Sequence, residues 1–274
     1  MREFEKDVKK VYALLNINRK IVGVKFLKNL EEFNSYNAVE LKRPISYCVV
    51  VKSASHGHKI KFDKSTSGCG GSTRALGFEK PTDEFLSGES PYKLGLFSNQ
   101  EVAKRAALET SNILSNTYGI LVQPLEDYID KETPDVVLII GSPRELMRVI
   151  QGYTYHNAIH KEFSMSGNQG ICVEATAYPL IHNTLNMSLL CSGTRFLAAR
   201  SENEAAIGIP FSLFNEVVDG IYKTVNAVEM DERKTQISES LLSQNIDCIK
   251  MQYGKTYYTE YEEEKRKNRK NEKN

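Results

Sequence analysis

A buried strand is the clearest structural signal in the chain, and it lies at residues 135–140. Asp135 is followed by five aliphatic residues in unbroken succession, a pattern typical of a strand covered on both faces. Gly141-Ser142-Pro143 ends the run, and Pro143 suits the first turn of a helix that we expect to extend to about Tyr155. Such a strand followed directly by a helix favours a layered α/β or α+β fold.

Strand and helix patterns alternate from about residue 20 to 225, which favours mixed sheets covered by helices. A chain of 274 residues can form one large domain or two intimate halves. We expect a single compact unit over residues 1–260. Its halves would cover about 20–118 and about 134–228.

The two predicted halves look like copies of one unit, which predicts an internal pseudo-twofold repeat. Each half has a glycine-rich turn with a cysteine, at Ser67-Gly68-Cys69 and at Ser166 to Cys172. In each half a short apolar segment with a central glycine precedes a helix, at Leu94–Phe97 and Ile207–Pro210. The alternative is that any α/β chain offers such coincidences.

Four of the five cysteines have settings that suggest a function. Cys69 and Cys172 follow glycines and precede helical stretches, Cys191 ends an apolar strand before Ser192-Gly193, and Cys48 begins an apolar segment. Glycine lets the backbone approach a ligand closely, and a thiol at a helix N-terminus gains thiolate character. Cys248 has no glycine neighbour and is interpreted as a small buried hydrophobic residue.

Two arginines follow these cysteines at short spacing. Arg74 lies five residues after Cys69, and Arg195 lies four residues after Cys191. A guanidinium in such a place is suited to bind an anionic substrate or to compensate a negatively charged cluster. The alternative is a salt bridge that ties adjacent loops together.

The cysteine turns and their surroundings resemble the domain-of-unknown-function family 169, the uncharacterised ArCR proteins of archaea and anaerobic bacteria. The resemblance spans roughly residues 20–220 and departs from the family pattern at Thr194, where serine is common. It implies membership of a family and no established reaction. The matching segments are Val24-Lys25-Phe26, Ser67-Gly68-Cys69-Gly70-Gly71, Leu94-Gly95-Leu96-Phe97, Asp135-Val136-Val137, Ser142-Pro143 with Leu146-Met147, Gln151 with Tyr155, Gly170-Ile171-Cys172, Cys191-Ser192-Gly193-Thr194-Arg195 and Gly208-Ile209-Pro210-Phe211.

We expect Cys48, Cys69, Cys172 and Cys191 to converge and to hold an iron–sulfur cluster for redox or sulfur-handling chemistry, because soft thiolates select such centres. One alternative is a metal-free small-molecule binding or regulatory module with a ligand cleft between the halves. Another is an enzyme that uses Cys69 or Cys172 as a nucleophile on an anionic substrate. The expected partner is a small molecule or a redox protein.

Composition and motifs argue against several other classes of protein. A net charge of +1 argues against a dedicated nucleic-acid binder. No GxGxxG or GxxxxGK[ST] motif is present. No apolar run approaches the ~20 residues of a membrane helix, and the charged start differs from a signal peptide. We therefore expect a cytoplasmic protein with no membrane partner, and a disordered, charged tail over 261–274.

Overall fold

The computed structural model describes residues 3–114, 117–129, 131–198 and 201–271, and it describes side chains as far as residue 267. Within these ranges, seven strands form one mixed sheet in the order β2-β3-β4-β1-β5-β7-β6. The β2–β3 pair is parallel and the other strand pairs are antiparallel. The strands are β1 Val22–Leu27, β2 Val39–Glu40, β3 Ile60–Asp63, β4 Gly119–Pro124, β5 Val136–Gly141, β6 Asn186–Ser188 and β7 Ala205–Pro210.

Helices account for most of the remaining regular structure. Two short 3-10 helices cover Lys64–Thr66 and Leu125–Tyr128, and a π-helix covers Gly170–Ala177. The α-helices are α1 Glu3–Leu15, α2 Leu30–Ser35, α3 Tyr47–Ala54, α4 Gly70–Ala75, α5 Asp83–Leu86, α6 Glu89–Lys93, α7 Gln100–Glu109, α8 Pro143–Asn157, α9 Tyr178–His182, α10 Ser192–Ala198, α11 Phe211–Lys223, α12 Val225–Val228, α13 Asp231–Ser243 and α14 Tyr257–Asn271. The mixed α/β fold predicted from the sequence is confirmed.

The strand predicted at residues 135–140 is β5, which lies between β1 and β7. Every one of its residues is buried, as the continuous aliphatic run requires. Val137 is paired with Ile209 of β7, and Leu138 is paired with Val22 of β1. Helix α8 begins at Pro143, directly after the strand.

The backbone groups into two compact units. One comprises Met1–Ile17, Met147–His160 and Asn215–Asn274, and the other comprises Asn18–Leu146 and Lys161–Phe214. All seven strands belong to the second unit. This grouping follows different boundaries from the predicted halves at 20–118 and 134–228.

The internal repeat is not confirmed in the form that the sequence suggested. Ile207–Pro210 lies in β7, whereas Leu94–Phe97 follows α6 and lies outside the sheet. The sheet does contain two groups of three strands on either side of the central β1–β5 pair. Read outward from the centre, they are β1-β4-β3 and β5-β7-β6, and in each group the first strand along the chain is central and the second is outermost. In that arrangement the counterpart of β7 is β4.

Helix α14 continues into the charged C-terminal segment as far as Asn271, and residues 272–274 of the predicted tail lie outside the described residues. Glu, Lys and Arg have high helix propensity, and Glu262–Glu264 precede Lys265–Lys267 at the spacing of favourable helical ion pairs. The side chains of residues 260–267 are all exposed. This part of the helix therefore has no buried side chain that would fix its position.

Across the described ranges, no helix has the length and apolar character that spanning a bilayer demands.

Candidate functional site

Four cysteines of the second unit lie at the beginnings of four different helices. Cys69 is the N-cap of α4, and Cys48 is the second residue of α3. Cys172 is the third residue of the π-helix, and Cys191 directly precedes α10. The first turn of a helix has backbone N–H groups without partners inside the helix. Two of the thiols use such a donor, since Val173 N–H contacts Cys172 and Thr194 N–H contacts Cys191.

The beginnings of α3 and α4 are held together through the backbone. Ile45 donates a hydrogen bond to Thr66 O at 2.9 Å, and Gly68 donates one to Ile45 O at 2.8 Å. A Cβ on Gly68 would lie 3.1 Å from the Ile45 backbone, so the two segments pack more closely than a larger residue would easily allow. This contact places the segments that lead into the helices of Cys48 and Cys69 next to each other.

A second close backbone contact joins the π-helix to the start of α10. A Cβ on Gly170 would lie 2.7 Å from Cys191 N, so only glycine fits there without displacing the turn. Leu190, directly before Cys191, has a φ of 70°, which is unusual for a residue with a branched side chain. Its backbone N–H donates to Ser188 Oγ at 3.0 Å, a contact that helps to hold the turn.

The two pairs of helices meet each other. Tyr47 Oη and Thr176 Oγ1 form a buried hydrogen bond of 3.1 Å between α3 and the π-helix. Helix α3 also packs on α10, and α4 packs on the π-helix. The thiol of Cys172 consequently interacts electrostatically with the thiols of Cys69, Cys191 and Cys48. The structure thus brings the four selected cysteines together, whereas Cys248 belongs to the other compact unit.

Burial is the main influence on the pKa values of two of the thiols, Cys172 and Cys48. It raises the pKa of Cys172 well above the ordinary value for a thiol, and the neighbouring Cys69, Cys191 and Cys48 raise it further. Burial also raises the pKa of Cys48, which Ser46 opposes by a hydrogen bond with a 3.0 Å separation between Oγ and Sγ. Without a compensating cation, Cys48 and Cys172 therefore favour the neutral thiol.

Thr194 and Ser46 contact the thiols and were not singled out as site residues from the sequence. Thr194 donates its backbone N–H to Cys191 Sγ at 3.4 Å, and its Oγ1 lies 3.2 Å from the same sulfur. Hydroxyl residues two or three positions from a cysteine are the available signal for such contacts. That signal is common in sequences, and by itself it does not mark a site.

Among the residues that the structure describes, no group of three or more His, Cys, Asp or Glu side chains is arranged to hold one ion. A thiolate-ligated cluster spaces its cysteines more widely than a single ion does, because its own iron and sulfide atoms occupy the centre. Cys48, Cys69, Cys172 and Cys191 lie at separate helix starts and do not form such a single-ion group.

The two arginines selected from the sequence have different environments. The guanidinium of Arg195 donates to three carbonyl oxygens, those of Ser201 at 2.8 Å, Leu189 at 2.7 Å and Glu204 at 3.2 Å. It ties its neighbouring loops together, and a role in substrate binding stays a prediction. The guanidinium of Arg74 instead lies 4.0 Å from the ring centroid of Phe85.

Arg74 and Cys69 line a cavity of about 220 Å³. Other lining residues are Phe85, Leu94, Phe97 and Gln169. Sequence reasoning selected Arg74 and Cys69 and did not select these four residues, because they lie on separate helices and loops without a shared motif. The cavity therefore adds a binding space at the edge of the thiol cluster.

The loop that carries Gln169 is fixed by a buried carboxylate. Glu174 Oε1 accepts hydrogen bonds from the backbone N–H groups of Ser166 and Gly167, each at 2.8 Å, and its Oε2 accepts one from Ser188 Oγ at 2.6 Å. Asn186 adds a hydrogen bond to the backbone carbonyl of Glu174 at 2.7 Å. These contacts connect the loop to the π-helix and so position one wall of the cavity.

Comparison with known proteins identifies the family and no activity. An uncharacterized protein of Methanocaldococcus jannaschii is 27% identical over 228 residues, which cover 81% of this chain and 94% of that protein. No solved structure matches the chain. The family model described as uncharacterised ArCR, domain of unknown function 169, matches residues 10–220. The chain therefore belongs to this family, as the resemblance of its cysteine turns predicted.

Proposed function

We propose that the protein binds an iron–sulfur cluster through Cys48, Cys69, Cys172 and Cys191 and uses it in redox or sulfur-handling chemistry. The observation that carries the proposal is the meeting of four thiols from four helix starts in one place. Thiolates are the usual ligands of such clusters. A set of four provides one for each iron of a cubane.

The electrostatics of the thiols support a metal centre. Burial disfavours the thiolate forms of Cys48 and Cys172 in the metal-free protein. Bound iron would supply positive charge and keep both sulfurs deprotonated. The thiols are thus placed where a cationic centre makes the largest difference to their ionisation.

The surroundings would also influence the potential of a bound cluster. Hydrogen bonds to the ligand sulfurs and burial both tune the reduction potential of iron–sulfur centres. Thr194 and Ser46 provide such contacts to Cys191 and Cys48. We propose a cytoplasmic location and a redox protein or small molecule as partner, since a reducing compartment keeps the four thiols available.

A cysteine-nucleophile enzyme receives less support from the same geometry. A nucleophilic cysteine works as the thiolate and needs a low pKa or an adjacent base. The pKa of Cys172 is raised by its burial and by three neighbouring cysteines. The remaining second candidate is a metal-free binding module, which the cavity beside Cys69 favours.

Anaerobic purification tests the proposal. The protein should be brown, with broad sulfide-to-iron charge-transfer absorbance and with iron and acid-labile sulfide in equal amounts. Exposure to air should bleach the absorbance. A preparation that remains colourless and free of iron, both as purified and after anaerobic reconstitution with iron and sulfide, contradicts the proposal.

A further inference from the structure

The cavity beside Cys69 contains an arginine with no anionic partner in contact. The Arg74 side chain is half-buried against the face of Phe85, and its Nε is buried without a hydrogen-bond partner among the described residues. No carboxylate of the described residues forms an ion pair with it, since the nearby Glu79 is paired with Lys64 at 2.8 Å. A buried N–H group without an acceptor is costly, and an anion that enters the cavity would supply this acceptor.

A second polar group in the same wall also lacks a partner. Gln169 Oε1 is buried and accepts no hydrogen bond from any residue that the structure describes. It lies close to Gly71, because a Cβ placed on that glycine would be 3.6 Å from this oxygen, an ordinary van der Waals distance. An acceptor at this point suits a hydroxyl or N–H group of a ligand.

The remaining walls determine what the rest of the ligand can be. Phe85, Leu94 and Phe97 provide apolar surface, and the exposed area of the cavity is mainly apolar. A cavity of about 150 Å³ holds a benzene ring. The cavity of about 220 Å³ therefore suits a body slightly larger than one ring.

We propose that this cavity binds a small organic carboxylate with an apolar body, whose carboxylate pairs with Arg74. A planar guanidinium can hold a carboxylate through two parallel hydrogen bonds. Phe85 supports the guanidinium from its face, and the apolar walls enclose the body of the ligand. Cys69 borders both the cavity and the thiol cluster, so the bound ligand lies beside the proposed cluster, although its binding does not depend on the cluster.

The absence of tryptophan from the chain permits a direct binding assay. Leu94 lines the cavity and is 74% exposed, so a Leu94→Trp variant adds one fluorophore at the rim at little structural cost. Phenylacetate is the probe, and the neutral, isosteric phenylacetamide is its control. We expect saturable quenching by phenylacetate, with affinity at least about tenfold higher than for phenylacetamide.

Two arginine substitutions in the Leu94→Trp background identify the contact. Arg74→Gln should weaken phenylacetate binding at least about tenfold and leave phenylacetamide binding nearly unchanged. Arg105 is exposed on α7 and outside the cavity, so Arg105→Gln should leave both affinities unchanged. Circular dichroism verifies folding. If Arg74→Gln does not fold, two other measurements replace it. One is phenylacetate binding by Arg74→Lys, and the other is the comparison of phenylacetate with phenylacetamide in the Leu94→Trp protein.

Equal affinity for the acid and the amide, no saturable response to either, or an unchanged affinity in Arg74→Gln would overturn the proposal. Inorganic phosphate that binds as tightly as phenylacetate would overturn the assignment to a carboxylate with an apolar body. The titrations use both cluster-free protein and protein reconstituted anaerobically with iron and sulfide. Phenylacetate binding by protein that takes up no iron would contradict the proposed cluster and support the carboxylate site. Iron uptake without phenylacetate binding would support the cluster and contradict the carboxylate site.

Discussion

At the scale of single residues, desolvation and the neighbouring Cys69, Cys191 and Cys48 hold the pKa of the Cys172 thiol well above its ordinary value. Because only the thiolate reacts with iodoacetamide, we expect slow alkylation of Cys172 at neutral pH in cluster-free, folded protein. Its rate should continue to rise with pH beyond about 8.5, the ordinary pKa of a thiol. Mass spectrometry of pulse-labelled peptides gives the rate at each pH.

The same peptide from protein in denaturant provides the comparison for Cys172. There the rate should level off near the ordinary pKa of a thiol. If the rate for folded protein levels off at or below that pH, Cys172 is an activated thiolate, and the cysteine-nucleophile alternative regains support.

Arg74 and Arg195 show what local sequence can and cannot predict for a single side chain. Both follow a cysteine at a similar spacing, and both were selected as candidate anion-binding residues. Arg195 is surrounded by three carbonyl oxygens from its own and the following loop. Arg74 meets Phe85, which lies eleven residues away on α5. The difference depends on tertiary contacts that neither sequence neighbourhood contains.

At the scale of secondary-structure elements, β7 and the π-helix approach each other at Gly208. A Cβ there would lie 1.8 Å from Ala175 O, a backbone atom. We expect Gly208→Ala to lower the free energy of unfolding by about 3 kcal/mol and to disturb the position of Cys172. Denaturant unfolding followed by circular dichroism measures the change.

A matched glycine substitution shows whether this effect is local. Gly193 lies in α10, and its nearest contact for a new Cβ would be Cys191 Sγ at 3.8 Å. Gly193→Ala should therefore leave stability unchanged or raise it by up to about 1 kcal/mol. Equal losses in the two variants would contradict the close β7–π-helix contact.

Elements with a strong local pattern were predictable, and those that depend on long-range packing were not. The aliphatic run before Gly141 predicts β5, and Pro143 predicts the start of α8. The predicted correspondence between Leu94–Phe97 and Ile207–Pro210 of β7 is not confirmed, because an apolar segment with a glycine has no unique conformation. The π-helix also has no sequence signal, since its extra residue per turn depends on contacts with β7 and α10.

At the scale of the whole molecule, the charged C-terminal segment is expected to add little stability. The side chains of residues 262–267 are exposed, and the last ten residues carry six Lys or Arg and one Glu. Removal of residues 262–274 should change the thermal midpoint by less than about 2 °C, as measured by circular dichroism melting. A larger fall would mean that this segment packs on the folded protein.

The convergence of four cysteines gives the central claim its most direct test, which is the iron content of cysteine variants after anaerobic reconstitution. Wild-type protein and Cys248→Ser should each bind about four irons per chain, because Cys248 lies in the other compact unit. Single Ser substitutions of Cys48, Cys69, Cys172 or Cys191 should each lower the iron content, and Cys69→Ser/Cys172→Ser should bind almost none. Iron content that is negligible in every protein, or that falls equally in Cys248→Ser, would contradict the four-cysteine cluster site.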